Sequence, residues 1–261
     1  MAFNPVAQTA QGTNFSAFIG GMNAAAPLYG MQPTDCIYSY NLNANEYGMK
    51  VRAGTSEWAN TVTGSCVRTI LPYNGSSPKL FAASSEGIFD ITTEGDTSPT
   101  KVVTWGTTGD PSGQCVHINY TNSAGTWLLV ADEQNGYHQY DGTDWDTTPT
   151  PAVTLPVDEG GADVTANVVF VTEWKKRLWF VLDSTSDCFY LEVNAVNGVL
   201  KRFRLSNKFQ RGGDPVGLWS WTHDSGTGVD DYLVALSTEG DCLVYTGIDP
   251  EVVPTSAGAV N

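Results

Sequence analysis

The chain alternates short runs of apolar residues with polar turns, most of which contain glycine, and the clearest example is DDYLVALSTEGDCLVYT at residues 230–246. Two apolar runs around such a turn predict a β-hairpin. The same pattern recurs at residues 80–91, 127–140 and 178–191, and its second half alone occurs at residues 35–40. A spacing of about 50 residues between copies predicts a repeat architecture. The second runs begin at Cys36, Ile88, Tyr137, Cys188 and Cys242.

Each complete repeat contains four strand patterns, which predicts an all-β protein built as a β-propeller of four-stranded blades. The first repeat has only its last two strands and the final repeat lacks its outermost strand, so the predicted propeller is incomplete within this chain. We therefore divide the chain into an extended N-terminal arm (1–33), propeller blades (34–250) and a tail or start of a continuation (251–261).

Uncovered strand edges invite pairing with other chains, and proteins usually protect them. We expect the hairpin of residues 36–53 to pair with strands outside residues 54–261, either from a downstream part of the polypeptide or from a separate chain. The apolar residues Phe15, Phe18 and Ile19 of the arm predict contact with a neighbouring chain. A frayed terminus fits the arm's weak periodicity equally well.

Glycine and cysteine recur at structural positions of the repeats. Gly87, Gly136, Gly198 and Gly240 lie in predicted turns, and the Asn197–Gly198 pair is typical of a tight hairpin because both residues tolerate positive φ. Cys36, Cys188 and Cys242 each follow an aspartate at a predicted strand start, where we expect unpaired, buried thiols. Five cysteines without a CxxC pair predict neither a disulfide framework nor a zinc site.

The net charge of −15 argues against a general nucleic-acid-binding surface, which needs a positive field. Eight of the 13 basic residues nevertheless lie between residues 175 and 211. This local concentration predicts a face that docks on an acidic patch of a partner, and a solvated surface is the alternative. The residues assigned to this face are Lys175, Lys176, Arg177, Lys201, Arg202 and Arg204.

Catalytic, metal and cofactor motifs are weak, and we predict a protein that is not an enzyme and holds no cofactor. The three histidines are scattered and lack metal-ligand spacing. The run DGTDWD at residues 141–146 resembles half of a calcium loop, but a connecting turn fits it better. Asp230 and Asp231 are adjacent in a strand and would point to opposite faces, which disfavours a paired-carboxylate glycosidase.

Three stretches resemble the β-propeller virion proteins that build the lower tail, or nozzle, of short-tailed bacteriophages. They are GGMNAAAPLYGMQPTDCIYSYNLNANEYGMKVRAG at residues 20–54, LPYNGSSPKLFAASSEGIFDI at residues 71–91, and the segment 209–250 with RGGD, SWTHDSGTGVDD and TEGDCLVYTGIDP. The resemblance is to structural turns and extends over nearly the whole chain.

The resemblance implies a virion protein that is assembled in the bacterial cytoplasm into a ring of six identical copies. The ring would attach to a tail adaptor and other tail proteins, and DNA would pass through it without specific binding. No segment is apolar and long enough to predict a membrane span. A carbohydrate-binding or glycan-cleaving propeller is the alternative, with Trp145, Trp174, Trp219 and Trp221 as residues that could stack on sugars.

Overall fold

A computed structural model describes residues 20–45, 48–60, 66–224, 229–247 and 250. The prediction of an all-β protein is confirmed, and the described residues contain no α-helix, only three 3-10 turns. These turns are Leu28–Gly30, Val157–Glu159 and Thr165–Asn167. The chain divides into an N-terminal unit, Met1–Ser56, and a main unit, Glu57–Asn261.

The N-terminal unit contains two small strand pairs. Strands β1 (Gly21–Met22) and β2 (Asp35–Cys36) are parallel, and β3 (Leu42–Asn45) and β4 (Gly48–Val51) form an antiparallel hairpin. Strands β3 and β4 pair with each other among the described residues and belong, with the segment before them, to a unit that ends at Ser56. The arm boundary at residue 33 stays a prediction.

The main unit begins with two four-stranded antiparallel sheets whose strands pair in chain order. Each strand pairs with the next along the chain, so both sheets are meanders, one within residues 67–104 and the other within residues 115–146. Sheet I consists of β5 (Val67–Tyr73), β6 (Lys79–Ser84), β7 (Gly87–Asp90) and β8 (Thr100–Thr104). Sheet II consists of β9 (Cys115–Asn122), β10 (Gly125–Asp132), β11 (Gly136–Tyr140) and β12 (Trp145–Asp146).

Two more sheets follow a short parallel pair, β13 (Val153–Thr154) with β17 (Gly198–Val199). Gly198, with φ of 116°, therefore starts a short strand, and the predicted tight Asn197–Gly198 hairpin is replaced by a longer connection. Sheet III consists of β14 (Val168–Trp174), β15 (Arg177–Leu182), β16 (Cys188–Tyr190) and β18 (Lys201–Phe203). Sheet IV consists of β19 (Pro215–Asp224), β20 (Val229–Ser237) and β21 (Cys242–Tyr245), which are its three strands within the described residues.

Three of the four sheets share a local irregularity in the first strand. The pairing register shifts one residue after the start of the first strand in sheets I, III and IV, at Val67/Thr69, Val168/Phe170 and Pro215/Gly217. A shift of this kind is typical of a β-bulge, which increases the local twist of a sheet. The first strands of consecutive sheets also contact one another: β5 contacts β9, β9 contacts β14, and β14 contacts β19.

Three apolar layers join the sheets in the order I, II, III, IV. Sheets II and III are buried on both faces, because alternate residues of one strand point to opposite neighbours. In β10, Leu128 and Val130 pack toward sheet I while Leu129 and Ala131 pack toward sheet III. In β15, Phe180 packs toward sheet II while Trp179 and Val181 pack toward sheet IV. This arrangement explains why WLLVA and LWFVL are continuous apolar runs.

The outer face of sheet I is covered by residues 58–60 of the main unit. The Trp58 indole donates a hydrogen bond to the Ile91 carbonyl at 2.8 Å, and Ala59 packs against Ala82, Phe89 and Ile91. The backbone N–H of Asn60 donates to the Asp96 carbonyl at 3.0 Å. The first sheet in the packing order therefore has a cover supplied by its own unit.

Gly136→Ala should destabilise the protein more than Gly240→Ala. Both glycines have left-handed φ, 78° and 83°, so the backbone strain of about 1 kcal/mol is shared. A Cβ at Gly136 would lie 2.5 Å from the Thr165 carbonyl oxygen, whereas at Gly240 the nearest atom is 4.0 Å away. We expect Gly136→Ala to cost about 2 kcal/mol more in urea unfolding. Equal losses in the free energy of unfolding would show that the backbone around Gly136 can move to accommodate the added Cβ at no cost.

Candidate interaction site

The outer face of sheet IV exposes several large apolar side chains. Trp219 and Trp221 alternate along β19 and lie on one side, with 42% and 54% of their surfaces exposed. Val234 and Tyr232 lie directly opposite them on β20, and the Trp221 and Tyr232 rings are 5.8 Å apart. The residues of this face are Trp219, Trp221, Tyr232, Val234, Leu236, Cys242 and Val244.

A comparison of the four sheets explains why an apolar face is exposed there. At the start of the third strand, within its first two residues, one side chain points toward the following sheet: Ile88 toward sheet II, Tyr137 toward sheet III, and Cys188 toward sheet IV. All three are buried, but the equivalent Cys242 is exposed because no described sheet follows sheet IV. The prediction that Cys242 is buried is therefore wrong, Cys188 is buried as predicted, and Cys36 is half-buried. All five cysteines are free thiols.

The N-terminal unit exposes apolar side chains to an unusual degree. None of the side chains that the structure describes in this unit is buried. Leu42 and Val51 lie opposite each other on one face of the β3–β4 hairpin, and both are exposed. An isolated two-stranded hairpin is marginally stable at best. The exposed large apolar residues of the unit are Met22, Leu28, Tyr29, Ile37, Tyr38, Tyr40, Leu42 and Val51.

The predicted basic face is largely neutralised within the chain. Arg177 is buried, 3.1 Å from Glu192, and Lys201 also pairs with Glu192. The hydrogen bonds from these two cations hold the pKa of the Glu192 carboxyl below its usual value. Glu192 itself is exposed, so solvent screens these pairs and they contribute little to stability, but they neutralise charge that would otherwise attract a partner.

The remaining basic residues divide into paired and exposed positions. Lys175 lies 3.5 Å from Asp231, and Arg202 lies 2.8 Å from Glu159 and 3.7 Å from Asp187. Lys176 and Arg204 are exposed. Phe15, Phe18 and Ile19, the predicted contacts of the arm, lie outside the described residues.

The most extensive polar cluster of the interior is structural. Asp132 is fully buried at the β10–β11 turn, and its carboxylate accepts hydrogen bonds from the backbone N–H groups of Gly113, Gln134 and Asn135 at 2.7 to 3.1 Å. The Asn135 amide also donates to it at 2.8 Å. These contacts join the loop before β9 to the turn between β10 and β11, so they fix the two loops against each other.

His138 is buried beside this cluster, with its ring 5.1 Å from that of Trp105. Burial lowers the pKa of His138 to about 4, and the nearby carboxylates of Asp132 and Asp146 oppose this shift only in part. The imidazole is therefore neutral in the folded protein at physiological pH.

Two open clefts offer little chemistry. One of about 560 Å³ is lined by polar side chains including Asn135, Thr147 and Asp163, and the Asp163 carboxylate already accepts a hydrogen bond from the Thr165 N–H. The other, of about 650 Å³, contains the Arg68–Asp110 ion pair and Cys115. Burial raises the pKa of the Cys115 thiol, which opposes formation of a reactive thiolate.

The DGTDWD run forms a turn. The Asp141 carboxylate accepts hydrogen bonds from the backbone N–H groups of Thr143 and Asp144 at 2.7 and 2.9 Å, as an Asx turn does. Within the part of the chain that the structure describes, no group of three or more His, Cys, Asp or Glu side chains is placed to hold a metal ion. The same residues include no helix long and apolar enough to span a membrane.

Comparisons with known proteins include a distant structural similarity. No protein-family model matches the chain, and no curated protein matches it either. The extracellular domain of a hybrid two component system from B. thetaiotaomicron is similar over 72% of this chain, with a TM-score of 0.40 and 14% sequence identity. The chain covers 23% of the length of that structure.

Asp132→Ala should lower the free energy of unfolding by about 3 kcal/mol, because several buried N–H donors would lose a charged acceptor. Asp141→Ala is the matched control, because it removes a carboxylate that accepts similar turn hydrogen bonds at an exposed site. It should lower the free energy of unfolding by less than about 1 kcal/mol. Chemical denaturation of both variants measures the difference. Equal losses would contradict a special role for the buried carboxylate.

Stability should fall as the pH decreases from about 6.5 to about 4. The unfolded chain protonates His138 near its ordinary pKa of 6.5, whereas the folded chain does so only near 4. The folded state therefore loses up to about 3 kcal/mol across this window. Urea unfolding at several pH values measures how the free energy of unfolding depends on pH. His138→Leu should remove much of this pH dependence, while His117→Leu, at a half-buried site, should keep most of it. An unchanged pH dependence in His138→Leu would show that His138 is not its source.

Proposed function

We propose that this protein is a structural component of a bacteriophage tail, and that sheets I to IV are blades of a β-propeller. Identical copies form part of a ring around the channel through which DNA leaves the virion. Assembly takes place in the cytoplasm of the bacterial host, where the ring joins the tail adaptor and other tail proteins. The role is mechanical and involves no catalysis.

The observation that carries the proposal is the distribution of exposed apolar surface. Sheet IV and the N-terminal unit both present large apolar side chains that a solitary protein would bury. Such surfaces are typical of proteins that function inside an assembly. The resemblance of residues 20–54, 71–91 and 209–250 to tail nozzle proteins gives this assembly its setting.

Sheet packing supports the propeller interpretation. In a propeller, consecutive blades pack face to face and their first strands lie side by side around the axis. Contacts from β5 to β9, from β9 to β14 and from β14 to β19 follow this order, as do the three apolar layers between sheets.

The charge suits a DNA channel without specific binding. Residues 1–56 contain two acidic residues, Asp35 and Glu46, and two basic residues, Lys50 and Arg52, so the net charge of −15 resides entirely in residues 57–261. An acidic wall repels the phosphate backbone. It neutralises no phosphates, so no counterions are released from the DNA to favour binding, and the DNA can slide past the wall.

A carbohydrate-binding role is the second candidate, and Trp219 and Trp221 favour it. Two exposed tryptophans at alternate positions of one strand can stack on consecutive sugar rings. Trp174 is buried and Trp145 packs against Phe81 at 5.2 Å, so these two residues have packing roles. Trp219 also packs against Phe170 at 5.2 Å, which leaves Trp221 as the more accessible of the two remaining rings. Binding on a glycan array that is lost in Trp221→Ala would favour this candidate.

The protein should be present in several copies in purified virions of the phage that encodes it. Mass spectrometry of gradient-purified particles measures its copy number against the major capsid protein. An amber mutation in its gene should yield particles with incomplete tails that eject their DNA poorly. Its absence from virions, together with a free protein in the lysate, would contradict the proposal.

A further inference from the structure

Sheet IV has the sequence of a sheet that is covered on both faces. Its β20 run YLVAL is continuous in apolar residues, like WLLVA of sheet II and LWFVL of sheet III. Leu233 and Ala235 are buried against sheet III, but Val234 and Leu236 on the opposite side face outward. Continuous apolar strands are typical of sheets with a layer on each side, so the outer face of sheet IV lacks its second layer in the single chain.

The charge distribution selects the surface that can supply this layer. Glu239 and Asp241 lie at the β20–β21 turn of sheet IV, and residues 57–261 carry the whole net charge of −15. Two copies of this face would therefore repel each other if they met directly. The N-terminal unit has no net charge and exposes apolar side chains, so it is the part of a second copy that can approach an acidic, apolar sheet.

Geometry agrees with this choice. The β3–β4 hairpin has strands of four residues each, the same length as β21. Tyr38 and Tyr40 precede the hairpin with about three quarters of their surfaces exposed, at 74% and 72%. Packed sheets need interdigitating side chains, and tyrosines opposite tryptophans provide large contact area at low cost in side-chain entropy.

We propose that the outer face of sheet IV binds the N-terminal unit of a second copy, with the β3–β4 hairpin and the tyrosines before it covering Trp219 and Trp221. This contact joins two different surfaces, so it is heterologous and repeats from copy to copy until a ring closes. It deepens the proposed function, because it names the interface that a ring of identical copies would use.

The test compares full-length variants in solution by sedimentation velocity across a range of protein concentrations. The face variant carries Trp219→Thr and Trp221→Thr, and the arm variant carries Tyr38→Ser and Tyr40→Ser. A control variant carries Val157→Ser and Val193→Ser, which replace exposed apolar residues elsewhere in the main unit. The Trp219 ring also packs against Phe170 of sheet III at 5.2 Å, so the single variant Trp221→Thr, which keeps that contact, accompanies the double variant. Circular dichroism and thermal unfolding check that each variant used is folded.

We expect the wild-type protein to associate, and the face and arm variants each to associate at least tenfold more weakly, while the control matches the wild type. Mixing the face variant with the arm variant should restore one intact contact per pair and give dimers without larger species. Maleimide labelling of Cys242, on the face itself, should slow in these dimers only for the copy whose face is intact.

Three results would overturn the proposal. A wild-type protein that stays monomeric at every concentration would mean that the face is covered within one chain or binds another ligand, such as a glycan. Association that survives in the arm variant but not in the face variant would mean that two sheet IV faces pair with each other. Association unaffected by the face variant would place the interface elsewhere and leave the virion role untouched, since that role is tested by the presence of the protein in particles.

Discussion

The fold depends on the burial of both faces of each sheet by its neighbours in the chain. No single four-stranded sheet of this size has a core of its own, and the buried side chains of the main unit lie mainly between sheets. Each apolar side chain removed from water contributes about 1.5 to 3 kcal/mol, so every sheet gains most of its stability from the next. A chain built in this way must end on a sheet with one open face, unless another segment closes the series.

Sheets I and IV, at the two ends of the packing order, differ in whether their outer faces are covered. At sheet I, residues 58–60 lie on the outer face and bury Phe89 and Ile91. At sheet IV, alternate residues of the same apolar strands remain exposed. The contrast is visible at a single repeated position, because Ile88, Tyr137 and Cys188 are buried by the following sheet and Cys242 is not.

Local patterns in the sequence predict much of this structure. The hairpin repeats locate the central strands of all four sheets, and the glycine turns at Gly87, Gly136 and Gly240 adopt the positive φ that their positions require. Long-range pairing is less accessible, because it depends on residues that are distant in sequence. The ion pair of Arg202 with Glu159 and the parallel pairing of β13 with β17 have no local signal. The apparent basic cluster shows the consequence, since its acidic partners are scattered along the chain.

Both units expose apolar surface, but the charge is divided unevenly between them, and this would give a contact between copies a preferred direction. A uniformly acidic protein resists association, because like charges raise the free energy of every close approach. Here residues 1–56 are neutral overall and residues 57–261 carry the entire excess of negative charge. Attraction between apolar surfaces can overcome repulsion most easily where one partner contributes no net charge. For the acidic face of sheet IV, the least unfavourable surface of a second copy is therefore the neutral unit, and a contact between these two different surfaces would be head to tail. In the ring that we propose, walls that repel phosphate and contacts that tolerate the resulting charge would lie on different segments of the chain.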